Sequence, residues 1–242
     1  MRKILSVIIF IFVFCFVFLI CTSALETSFD TQSVPKEDYG NYELKNFEFF
    51  TEEPETGGIY SYAVHSDGRF ALLFADDEFL FRNSTQTLCV YDADGSFQYG
   101  FRFFSKKPYP DWSGDNVLLV YSSYGIELSP NGEILEIVAL PDTMNNSDLK
   151  MELSQPVHTV GDKVYKASAG GIKGFIDGRY DMLTVTDSDG NRSVIYQANT
   201  NTRPKTRFIL YFVLIAILLA LPAVIIPLII RKKYPKSKNN IS

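Results

Sequence analysis

Leu88-Cys89-Val90-Tyr91-Asp92-Ala93-Asp94-Gly95-Ser96-Phe97-Gln98-Tyr99-Gly100-Phe101-Arg102-Phe103 is the stretch that decides the fold. Residues 88–91 are a short apolar run rich in strand-forming side chains. Residues 92–95 end in Asp-Gly, whose glycine tolerates the positive φ that a tight turn requires. From Phe97 onward large apolar and other residues alternate, which puts Phe97, Tyr99, Phe101 and Phe103 on one face of a sheet. Strand, turn and strand make a β-hairpin.

The same turn chemistry recurs outward from this hairpin in His65-Ser66-Asp67-Gly68, Ser129-Pro130-Asn131-Gly132 and Asp187-Ser188-Asp189-Gly190, at irregular spacing. Between these turns lie short runs of Val, Ile, Phe, Tyr and Thr at 58–65, 69–75, 78–82, 87–92, 96–104, 116–122, 125–129, 133–140, 156–160, 163–168, 181–187 and 192–197. Each reads as a half-buried strand. No long stretch has a helical period. The best helical candidate is residues 146–153, with Asn146 or Ser147 as its amino-terminal cap. Residues 168–180, with four glycines, read as a loop. Residues 25–57 are polar and acidic and read as a loosely packed extension, so the β-rich domain is expected over 58–200. The expected fold is all-β.

Phe70-Ala71-Leu72-Leu73-Phe74 followed by the 88–97 hairpin resembles the strand-hairpin-strand order of a β-propeller blade, and 117–140 and 157–195 resemble more diverged copies. The resemblance covers 58–198 and implies about three blades of about 40–50 residues each, whereas closed rings have at least four. It leaves open a partial propeller, a sandwich of the same hairpins, a ring completed by a partner, or strands contributed by 25–57.

Charge sets the expected location. All 28 acidic residues lie between Glu26 and Asp189, so the segment 25–206 carries −13, while the two ends together carry +8. Lysine and arginine stay on the cytoplasmic side of membrane segments, which predicts two cytoplasmic ends and an exported middle. Residues 208–230 are 23 uncharged residues, long enough for a helix to cross a hydrocarbon core of about 30 Å. They follow a linker at 201–207, and Arg231-Lys232-Lys233 opens a basic tail, 231–242, too short to fold alone. Residues 4–20 are apolar behind Arg2-Lys3 and precede the small residues that end in Ala24, so 1–24 reads as a cleaved signal peptide or a retained signal-anchor helix. The expected protein is a single-pass cell-membrane protein, or two-pass if that helix is retained. This organisation excludes a plain cytosolic enzyme, a polytopic channel and, with a −13 domain, a nucleic-acid-binding protein.

Candidate chemistry is sparse. The exported segment holds one cysteine, Cys89, in an apolar strand, which reads as a small core residue in a domain without an internal disulfide. His65 and His158 read as surface polar residues. No nucleophile elbow, zinc motif or phosphate-binding glycine loop appears, so no catalytic residue and no cofactor are assigned. Asp92 with Asp94, and Asp187 with Asp189, form a calcium alternative, but the third acid and distal glutamate of a calcium loop are missing. Tyr109, Trp112, Tyr121 and Tyr124 surround a proline-bounded loop at 107–114 and are the candidate ligand- or partner-binding residues, the alternative being a cap over the sheet stack. Three functions remain: a membrane-anchored binding module that engages a surface protein or extracellular ligand, a surface hydrolase or carbohydrate-active enzyme, or an accessory subunit of a transport or secretion complex.

Overall fold

The computed structural model describes residues 25–42, 44–75, 83–169 and 179–198. The apolar segments at 4–20 and 208–230 lie outside the described residues, as does the strand expected at 78–82. Among the described residues no helix is long and apolar enough to cross a membrane.

The domain is all-β. Three antiparallel sheets follow one another along the chain. The first contains β3 (Ile59–Val64), β4 (Phe70–Ala75), β5 (Ser84–Tyr91) and β6 (Phe97–Ser105) as an up-and-down meander. The second repeats the pattern with β7 (Tyr109–Ser113), β8 (Asn116–Val120), β9 (Tyr124–Leu128) and β10 (Ile134–Ala139). The third consists of β11 (Val157–Val160), β12 (Lys163–Ser168), β13 (Met182–Thr186) and β14 (Arg192–Gln197).

The segment 25–57 is built into these sheets instead of standing apart as an extension. β1 (Gln32–Ser33) pairs with β10, and β2 (Lys45–Phe50) pairs with β6, so each adds an edge strand to a meander completed later in the sequence. Phe29, Val34 and Leu44 are buried in the process.

All four acidic or asparagine turns close hairpins, joining β3 to β4, β5 to β6, β9 to β10 and β13 to β14. The last three occupy the same place in the three sheets. In all four turns the glycine alone takes positive φ, between 83° and 97°, while the residue before it stays at negative φ. This is a type I turn with a left-handed glycine, closed by pairs such as Gly95 N–H to Asp92 O at 3.1 Å and Asp92 N–H to Ser96 O at 3.0 Å. Gly132 has a second reason to be glycine, since a Cβ there would lie 2.8 Å from Cβ of Phe49.

Packing explains why β4, inside the first sheet, reads as an unbroken apolar run. One face (Ala71, Leu73, Leu88, Val90, Phe101, Phe103) meets Val117, Leu119, Ile126 and Leu128 of the second sheet. Its other face (Phe70, Leu72, Phe74, Cys89, Tyr91) meets Tyr165, Ala167 and Leu183 of the third. A strand buried on both sides has no solvent face to keep polar. The far face of the second sheet is covered by Phe29 and by helix α1 (Met144–Leu153), through Leu149 and Leu153. The cap of α1 is Thr143, three residues before the expected start, and its hydroxyl accepts from the Asn146 amide at 3.2 Å. Asn146 itself is fully buried. Its side chain accepts from the Asp30 amide at 2.8 Å and donates to the carbonyls of Asp30 and Pro141, both at 2.9 Å. It therefore pins the amino-terminal segment to the helix instead of capping it.

Residues 109–113, expected within a proline-bounded loop, form β7. The strand is tolerated because β7 is an edge of its sheet, where the missing amide of Pro110 leaves no ladder bond open. β7 runs beside β3, and β11 also packs against β3, so β3 neighbours the first strand of each of the other two meanders.

Candidate functional site

Tight connections gather tyrosines at one end of the first two sheets. Tyr121 and Tyr124 flank the β8–β9 turn, where the Tyr121 amide donates to the Tyr124 carbonyl at 2.8 Å, and their rings stack 4.4 Å apart at 14°. Tyr42 meets Tyr124 edge-on at 5.0 Å. Across the opening, Tyr60 of β3 stacks on Tyr109, the first residue of β7, at 6.0 Å and 26°. These five tyrosines and Phe104 line a cleft of about 860 Å³, within the range of small-ligand pockets.

Polar groups complete the lining. Tyr121 donates to Ser105 Oγ at 3.0 Å, and Ser105 donates onward to the Lys106 carbonyl at 2.6 Å, which fixes the backbone from which Lys106 and Lys107 project. Lys107 Nζ lies 5.1 Å from the Tyr60 ring centre, within cation–π range. Lys150 of α1 donates to the Ser122 carbonyl at 2.6 Å, tying the helix to the β8–β9 turn. With Lys45 of β2, four lysines line the cleft, and no aspartate or glutamate does so among the described residues. Burial raises the pKa values of Tyr60, Tyr121 and Tyr124, with neighbouring tyrosines adding to the shift, so these hydroxyls stay protonated and able to donate.

Three of the four candidate aromatic residues, Tyr109, Tyr121 and Tyr124, thus share one cleft. Trp112 does not join them. It lies three residues along β7, about 10 Å from Tyr109 by strand rise. There its ring packs on His65 at 5.1 Å and lies under the Arg69 guanidinium at 5.6 Å. Arg69 in turn bridges Asp67 and Asp115. The signal that sequence reading missed is the set of lysines, which come from β2, the β6–β7 connection and α1 and converge only in space.

Neither histidine is a plain surface residue. His65 is half-buried and 2.7 Å from Asp67. His158 meets Tyr62 edge-on at 4.7 Å, and burial lowers its pKa. Cys89 is fully buried and its thiol is pushed up by desolvation, as befits a core residue. In the acidic turns, Asp92 Oδ1 accepts from the Ser96 amide at 2.9 Å and Asp187 Oδ1 from the Asn191 amide at 2.8 Å. Asp94 accepts from Ser96 at 2.9 Å, and the Asp189 amide donates back to Asp187 at 3.0 Å. The oxygens of Asp92, Asp94 and Asp187 brace their own turns, and no cluster of three metal-ligating side chains occurs among the described residues.

One titratable group with no sequence signal stands out on β7. The Asp111 carboxyl is pushed up to about 6 by burial, and the charge of Glu152 on α1 adds to the effect. Set against known proteins, the chain matches no family model, no curated protein and no solved structure.

Proposed function

We propose that the chain is a membrane-anchored, non-enzymatic binding module of the cell surface, holding its ligand in the tyrosine-lined cleft. The observation that carries this reading is the convergence of Tyr109, Tyr121 and Tyr124 with four lysines on one cleft of ligand-accommodating size. The anchor is residues 208–230, with the basic tail inside and 25–206 outside, and it rests on the charge asymmetry of the sequence. The fold is read as propeller-like: three meanders in succession, stacked face to face, with β3 beside the first strand of each of the other two. β1 and β2 widen existing blades instead of founding a fourth, and α1 covers the face on which a further blade would pack. The module engages its ligand from this rigid stack.

Protease and an impermeant biotin reagent applied to intact cells that carry the full chain test the placement. Digestion within 25–206 with survival of an epitope on 231–242 is expected, and protection of the middle overturns it. A photo-crosslinking residue at position 124 tests the cleft. It is expected to capture ligand where the same residue at exposed position 135 does not, and equal capture at both overturns the assignment.

A second reading, a surface hydrolase, is favoured by one observation, the raised carboxyl of Asp111 near Glu152, since a protonated and an ionised carboxylate together can cleave a glycosidic bond. Hydrolysis of a glycoside panel that is lost in both Asp111→Asn and Glu152→Gln would establish it over the binding reading.

A further inference from the structure

We infer that the cleft is a receptor for a phosphorylated saccharide, with the phosphate held by the lysines and the sugar body held by tyrosine rings and hydroxyl groups. The inference rests on the binding-module reading and names its ligand class.

Electrostatics supply the first step. The segment 25–206 carries −13, so its overall field repels anions, yet among the described residues four lysines line this one cleft. Lys45 and Lys106 are exposed, and no carboxylate among the described residues pairs with either, or with Lys150. Ammonium groups with no carboxylate partner among the described residues, around a concave surface whose described lining holds no acid, form a site for an oxyanion. The surrounding negative charge limits the ligand to a few anionic groups on a neutral body, because a long polyanion would have to cross the repelling surface.

Size and lining supply the second step. A bare phosphate leaves most of about 860 Å³ empty, so the ligand has a body beyond its charged group. Tyr121 is already stacked on Tyr124, and Tyr60 on Tyr109, at 4.4 Å and 6.0 Å, which leaves no slot for a planar base to be sandwiched within either pair. A sugar needs less: one apolar ring face and several hydrogen-bonding partners for its hydroxyl groups. Asn41, Asn83, Ser122 and Ser123 supply those partners around the same opening.

The test is titration calorimetry on the full chain in phosphatidylcholine nanodiscs. The probes are mono- and disaccharide phosphates, their unphosphorylated counterparts and inorganic phosphate, all at matched ionic strength. At least one sugar phosphate is expected to bind about tenfold or more tightly than both its neutral counterpart and inorganic phosphate, with affinity falling as salt rises. Lys45→Gln with Lys106→Gln is expected to remove most of that preference while leaving the melting temperature unchanged, and Tyr124→Ala to weaken the neutral and the phosphorylated sugar alike. If neutral sugars bind as well as their phosphates, the ligand class is overturned while the binding reading stands. If no probe binds and position 124 captures nothing on cells, both fall. Phosphatidylglycerol vesicles form a separate arm: lysine-dependent vesicle binding that sugar phosphates do not displace assigns the phosphate to a lipid headgroup and overturns the saccharide.

Discussion

Phe50 lies directly opposite Gly100 across the β2–β6 pair, with its ring laid over the glycine. A Cβ on residue 100 would overlap Phe50 Cζ and fall 2.6 Å from the Leu88 carbonyl oxygen. The ring covers backbone that glycine leaves bare, and stacks on Phe97 at 6.0 Å. Gly100→Ala is therefore expected to destabilise the domain by about 1–3 kcal/mol, because the carbonyl belongs to the neighbouring strand and cannot move away. Thermal unfolding measures it. An unchanged melting temperature would mean that the close approach does not exist.

Asp111 gives stability a pH signature. The native carboxyl is raised from 3.8 to about 6, so it keeps its proton where the unfolded chain has lost it. Stability then falls as pH rises from about 4 to about 6, and the penalty persists at neutral pH. Asp111→Asn is expected to stabilise the domain at pH 7.5 by about 1–3 kcal/mol, the lower end applying where water reaches the half-buried carboxyl, and to give no gain below about pH 4. Denaturant titrations at the two pH values check it. A pH-independent gain would point to side-chain packing instead of ionisation.

Asn146 connects two segments that are remote in sequence, Asp30 and the start of α1. Asn146→Ala leaves the Asp30 amide and two carbonyls without their partner and is expected to cost about 3 kcal/mol. Thr143→Ala, which removes the cap bond to the Asn146 amide, is expected to cost about 1 kcal/mol. Equal losses in the two variants would show that the buried amide does no more than the half-buried cap.

Cys89 is expected to resist maleimide in the native state and to react on unfolding, since its thiol is fully buried and held protonated. Mass spectrometry of a Cys15→Ser/Cys21→Ser chain with and without denaturant reads this out. Rapid native labelling would contradict the placement of β5 between two sheets.

The hairpins were legible because a turn glycine is a local requirement, written in adjacent residues such as Asp94-Gly95. β4 was legible because burial on both faces leaves an unbroken apolar run. β7 was hidden by Pro108 and Pro110, whose preference for loops is overridden only at a sheet edge. β1 and β2 were hidden because they are polar on average and their partners lie fifty or more residues away in sequence. Tyr109, Tyr121 and Tyr124 of the cleft were visible as an aromatic cluster, but Tyr42 and Tyr60 were not, and Lys45, Lys106, Lys107 and Lys150 were averaged into an acidic segment and converge only once the chain has folded.

The amino-terminal edge strands also impose an order of events during synthesis. The partner of β1 is β10, more than a hundred residues downstream, and that of β2 is the last strand of the first meander. A chain growing from its amino end must carry both strands unpaired until residues 105 and 139 have emerged. The residues made first thus close their sheets last, and a nascent chain released before residue 139 leaves β1 without its docking edge.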